Sequence, residues 1–234
     1  ETTCYYIKTL STHLDLSLDV LSDMLLNSKF DEEEIEKEKG VVIEEINMSE
    51  DNPEDVLDNI HSKASYGDNS LSYPILGTIE KIRNLKREDI IKFIDEKYTP
   101  YNSVISICGK FDEDEVIKKK KKFFGQWESK KVYKPVYEGT EIKKDSVYLK
   151  KEIEQLHIDL GLQGLPFGDD RSYALVLLNN ILGGGASSIL FQKVREELGL
   201  CYVIYSYTQQ FQEAGLINIY VGLSKEYADK ALQV

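Results

Sequence analysis

The chain has 234 residues, 41% of them hydrophobic and 30% charged, which is the composition of a soluble globular protein with a sizeable core in one large or two medium domains. A net charge of −12 excludes non-specific nucleic-acid binding, because neutralising phosphate needs clustered Lys and Arg. No apolar run approaches the roughly 18 residues that span a bilayer, and no signal peptide is visible, so no membrane role is expected.

In chain order, the opening "TTCYYIKTL" alternates and is rich in aromatic and β-branched residues, which predicts a strand. "HLDLSLDVLSDMLLNS" spaces Leu, Val and Met as a helix does, and an acidic helix follows from about Asp31. Between Asp31 and Asp58 thirteen acidic residues stand against Lys37 and Lys39, so nearly the whole charge imbalance lies there. Such a segment suits a basic partner if it faces a groove, and is otherwise a solvated face. "PEDVLDNIHSKAS" continues as helix, "YGDNSLSYPILGTIEKIRNL" as loop, "KREDIIKFIDEKY" as helix and "NSVISICGKF" as strand. "DEDEVIKKKKKFFGQW" predicts a helix whose lysine run is its exposed face.

Residues 131–145, polar and carrying Pro135 and Gly139, are the expected linker between a first domain at 1–130 and a second at 146–234. Beyond it "SVYLKKEIEQLHIDLGLQG" alternates as a strand, and "RSYALVLLNNIL" and "ILFQKVREELG" are helical around "GGGASS". That loop follows a helix and lacks the ending of a phosphate loop, so Ser187 or Ser188 is expected to cap the next helix. "LCYVIYSYTQQFQEAGLINIYVGL" predicts two strands joined by a polar turn. The pattern is α+β: two related α/β sandwiches, each an antiparallel-rich sheet with helices on one face, and both incomplete. Cys4, Cys108 and Cys201 lie far apart in apolar runs, which argues against disulfides and for buried thiols in a reducing, cytoplasmic setting.

The acidic helix carries an anomaly. With Ile35 at 0°, Val42 falls at about −20° and Ile46 at about +20°, defining a buried stripe. Glu38 and Glu45 fall at about −60° and −80°, one above the other beside that stripe, while Glu44 points away. A carboxylate bordering a core is costly unless it is paired, hydrogen-bonded or bound to metal. Partial exposure or an ion pair is the ordinary explanation; a metal role would need histidine partners. His13, His61 and His157 are scattered singly and show no HExxH or HxxEH spacing.

"EKEKGVVIEEI", "SYPILGTIEKIRNLKREDIIKFIDEKYTPYNSVISICGKFDEDEV" and "ILGGGASSILFQKVREELGLCYVIYSY" together resemble the pitrilysin/insulinase family of zinc metallopeptidases. The closest likeness is to the short bacterial branch similar to mitochondrial processing peptidase, and it extends over essentially the whole chain. The resemblance implies a zinc-dependent endopeptidase in which two His and a catalytic Glu come from an HxxEH helix. It places the third zinc ligand at Glu45 and a supporting carboxylate at Glu38. It also implies that Arg195 and Tyr202, in "VREELGLCY", hold the substrate backbone or stabilise the tetrahedral intermediate. The expected substrate is a peptide or short unfolded segment, favoured when basic if the acidic helix lines the chamber. A homodimer or pairing with a related subunit are both open.

The departure from the family pattern is the absence of HxxEH. The chain opens without Met in a strand-like run and closes in "SKEYADKALQV", inside a helical pattern. It is therefore expected to be the central fragment of a longer protein, inactive alone and at best a weak zinc binder. The alternative is a non-catalytic homologue that binds peptides or a catalytic partner.

Overall fold

A computed structural model describes residues 2–128 and 140–234. Its described residues pack as two units, from Glu1–Val41 with Glu80–Pro135 and from Val42–Ile79 with Val136–Val234. Residues 131–139 of the expected linker lie outside the described residues.

In the first unit, α1 (Leu14–Leu26) packs with α6 (Glu113–Phe124), and Lys119 of α6 pairs with Asp15 of α1. α6 starts where the Asp112 carboxylate accepts from Glu115 N at 3.0 Å. Acids fill its first turn and Lys121 and Lys122 its last, the arrangement that complements a helix dipole. α4 (Ile79–Asn84) is a short helix within the stretch expected to be loop, and α5 (Arg87–Lys97) follows it. Arg87 Nε donates to the Phe30 carbonyl at 2.6 Å, tying α5 to the turn ahead of the acidic helix.

The strands expected at 2–10 and 102–111 are a correction. Thr2–Leu10 is exposed throughout and carries no ladder, and residues 103–108 likewise run without one. Alternation specifies an extended backbone, but a strand also needs a neighbour for its N–H and C=O groups. None of the described residues supplies it. In consequence Cys4 and Cys108 are exposed rather than buried, and Cys201 is half-buried.

The second unit holds one antiparallel sheet: β1 (Leu156–Gln163), β2 (Cys201–Gln210) and β3 (Gly215–Leu223), in the order β1-β3-β2. The residues ahead of Leu156 in the expected first strand stay outside the ladder. Alternation sorts the side chains onto two faces. On one, Leu156, Ile158, Ile204, Val221 and Leu223 form a core with Val194 and Leu200. α7 (Ser172–Gly183) packs against β2 on this side. Gly183 makes that approach possible, since a Cβ there would collide with the backbone N and hydroxyl of Ser206.

The other face is polar and aromatic. Asp159 stands opposite Tyr220, which stands opposite Tyr205, and the next row is Gly161, Asn218 and Tyr207. α3 (Pro53–Tyr66) covers this face, so helices flank the sheet on both sides rather than on one. α3 starts at Asn52, whose side chain accepts from Glu54 N at 3.0 Å, with Pro53 in its first turn. Gly67, at φ 61°, ends it. α8 (Ala228–Leu232) closes the described chain, and Ala228 and Ala231 pack on the Val194–Leu200 core.

Candidate functional site

The acidic helix α2 spans Glu32–Asp51, starting where Asp31 accepts from Glu33 N at 3.0 Å. Ile46 is its one buried residue, and Ile35, Val42 and Ile43 are half-buried. Glu38 and Glu45 share this helix two turns apart, as their spacing requires, but both are exposed. The argument from burial therefore fails for them, because the stripe narrows to Ile46 and both carboxylates fall on its open side. Among the described residues neither has an ion pair or hydrogen bond, whereas nearby Glu36 is taken by Lys39 at 2.6 Å. Glu45 is thus free to meet a ligand.

Arg195 and Tyr202 are brought into contact. Arg195 lies in a π-helical segment, Phe191–Glu197, where an α-helix was expected. Its Nε donates to the Tyr202 carbonyl at 3.1 Å and its guanidinium carbon stands 5.4 Å from the Tyr202 ring. Tyr202 is 75% exposed and its hydroxyl has no partner among the described residues. The pair can present N–H and O–H donors to a carbonyl oxygen, the chemistry an oxyanion requires. No hydrogen bond or ion pair joins Glu45 to Arg195 among the described residues.

Ser188, expected as a cap, has its hydroxyl buried without a partner among the described residues. Its carbonyl accepts from Gln192 N at 3.0 Å instead.

A buried polar layer between α3 and the sheet was not anticipated. His61 Nε2 lies 3.0 Å from Asn218 Oδ1, with both residues buried. Tyr207 donates to Asp159 Oδ2 at 2.8 Å, and Tyr220 donates to Glu54 Oε1 at 3.1 Å while meeting His157 Nδ1 at 2.7 Å. Burial pushes the Asp159 carboxyl up from the usual range, against the pull of His61 and the Tyr207 bond. Burial first, then the Asp159 charge, raises the Tyr207 phenol, and burial with the Glu54 charge raises Tyr220. The signal was in the strands: "HID", "YSYTQ" and "NIY" place polar or aromatic residues at every second position. His61 and His157 are isolated in sequence, and only the folding of α3 onto the sheet brings them into one layer.

Among the described residues no group of three or more His, Cys, Asp or Glu side chains is placed to hold a metal ion. Two open carboxylates without imidazole partners do not make a zinc centre, so these residues do not by themselves fit one. Among the described residues, too, no helix is long and apolar enough to cross a membrane.

Comparison with known proteins places these features in a family context. Residues 1–79 match the model for Insulinase (Peptidase family M16), and residues 84–234 match the model for the Peptidase M16 inactive domain. An uncharacterized zinc protease of Bacillus subtilis, YmxG, is 46% identical over 222 residues, covering 95% of this chain and 54% of that protein. An uncharacterized zinc protease of Streptomyces coelicolor is 35% identical over the whole chain, covering 52% of that protein. The chain spans about half the length of these relatives. Among solved structures, a peptidase M16 inactive domain from Pseudomonas fluorescens superposes with TM-score 0.86 at 20% identity, over 92% of this chain and 53% of that one. A protease from Helicobacter pylori gives 0.84 at 22%, over 96% and 57%. These two likenesses establish the α+β fold.

Proposed function

Because the chain belongs to the insulinase family of peptidases, M16, we propose that it is part of a zinc-dependent metalloendopeptidase acting on peptides or short unfolded segments. Glu45 is the carboxylate ligand and Glu38 its support; the imidazole ligands and general base come from outside this chain. Zinc held there would supply an activated water and polarise the carbonyl. Arg195 and Tyr202 hold the substrate backbone at the developing oxyanion.

The observation that carries this reading is the Arg195–Tyr202 pair. Arg195 is tied to the backbone of Tyr202 and lies against its ring, while the tyrosine hydroxyl is exposed. The acidic helix favours basic peptides, the protein works in the cytoplasm, and it assembles as a homodimer or with a related subunit.

The test is hydrolysis of fluorogenic peptides by the full-length gene product, with and without chelator. Chelator-insensitive cleavage sinks the proposal. A second reading, a non-catalytic subunit that binds peptides, is favoured by the match of residues 84–234 to a domain described as inactive. It predicts peptide binding without turnover.

A further inference from the structure

Two irregularities of the backbone meet at Arg195. The segment that carries it is wound as a π-helix, with Leu198 N donating to the Lys193 carbonyl at 3.2 Å. The strand that follows is bulged: Cys201 faces Leu223 and Val203 faces Gly222, so Tyr202 has no partner on β3. Val194 and Leu200, 1% and 3% exposed, anchor both irregularities in the core. Without the bulge, every residue of β2 beyond it would move to the opposite face.

The outcome is a guanidinium in contact with two rings. Its carbon lies 4.6 Å from the centroid of Phe191, on the preceding turn, and 5.4 Å from that of Tyr202. Nε is committed to the Tyr202 carbonyl and Nη1 donates to Glu196 Oε1 at 2.6 Å. A guanidinium carries five N–H donors, so three remain for a ligand.

We propose that Phe191 is a positioning residue for Arg195. Its ring fixes the guanidinium plane, so the free donors are aimed before a peptide carbonyl arrives. The inference rests on reading Arg195 as the group that holds substrate. A long arginine side chain loses rotamer freedom on binding, and one already stacked loses less. The stack itself is a modest attraction, and its value lies in direction.

The experiment measures kcat and KM for a quenched peptide on the full-length gene product, with anisotropy of a labelled peptide in parallel, for Phe191→Leu, Phe191→Tyr and Arg195→Ala. Leucine keeps the apolar volume and removes the π face, whereas tyrosine keeps the face. Phe191→Leu is expected to lower kcat/KM by about three- to tenfold, and Phe191→Tyr to restore it. In the Arg195→Ala background Phe191→Leu should cost nothing further, because its effect passes through the arginine. Three results overturn the proposal: Phe191→Leu retaining wild-type kinetics, Phe191→Tyr failing to rescue, or a loss that persists without Arg195. If the wild-type protein binds and cleaves peptides while these results occur, only the role of Phe191 falls. If it neither binds nor cleaves them, the reading of Arg195 falls with it.

Discussion

Glu45 and Glu38 stand seven residues apart on one exposed face of α2, which separates their proposed roles by experiment. Replacing Glu45 with Gln removes the proposed third zinc ligand, so bound zinc, measured by elemental analysis of the full-length protein, should fall to background together with hydrolysis. Glu38→Gln leaves the ligand in place and should weaken metal affinity or activity by about 10- to 100-fold, as loss of a supporting partner does. Equal effects would contradict the assignment. Asp159 gives a test that needs no activity. Burial raises its folded carboxyl above the unfolded value, so its contribution is fully present below the unfolded pKa. It is lost as pH rises through the folded value. Asp159→Asn keeps an acceptor for Tyr207 and removes the buried charge. Its thermal midpoint should exceed wild type at pH 7 and match it below about pH 4, the unfolded carboxyl range. A midpoint lowered at pH 7 would show that the ion is held favourably, with His61 the group to examine.

Among the elements, α7 and α3 flank the sheet by different means. α7 comes close through Gly183, so Gly183→Ala forces a methyl into the Ser206 backbone and should cost on the order of 1–3 kcal/mol, read as a lower denaturation midpoint. α3 is held by hydrogen bonds of His61, Glu54 and Ser65, the Ser65 carbonyl accepting from Lys143 N at 2.9 Å, and by Tyr66, which is buried with Ala214 and Leu216. Its start depends on Asn52, and Asn52→Ala should cost about 1 kcal/mol of stability by the same assay. Most of the helices were legible because they carry a 3.6-residue period, to which α3 and α6 add their own side-chain caps, and these are local facts. The strands at 2–10 and 102–111 were misread for the complementary reason. A two-residue period describes the segment, whereas a ladder is a property of two segments, and the described chain brings no second one. The π-helix at Phe191–Glu197 was hidden likewise. "LFQKVREELG" satisfies an α period, and only anchoring Val194 and Leu200 in one core reveals the wider turn.

For the molecule as a whole, the −12 charge concentrated near α2 makes an electrostatic prediction. Basic peptides should be cleaved faster than acidic ones of equal length, and the difference should shrink as salt rises from about 0.05 M towards 1 M, where screening falls to about 3 Å. A preference unchanged by salt would mean that the acidic helix does not face the substrate. By itself the sequence determined most of the helices, the second-half strands and the family, because these are encoded in local period and motif. Tertiary structure alone decided that Glu38 and Glu45 are open rather than pressed against a core, since burial depends on what packs beside a helix. It decided also that Arg195 is clasped by Phe191 and Tyr202, and that two scattered histidines join one polar layer. Those relations are set by β pairing and by core packing between residues far apart in the chain, which no local pattern records.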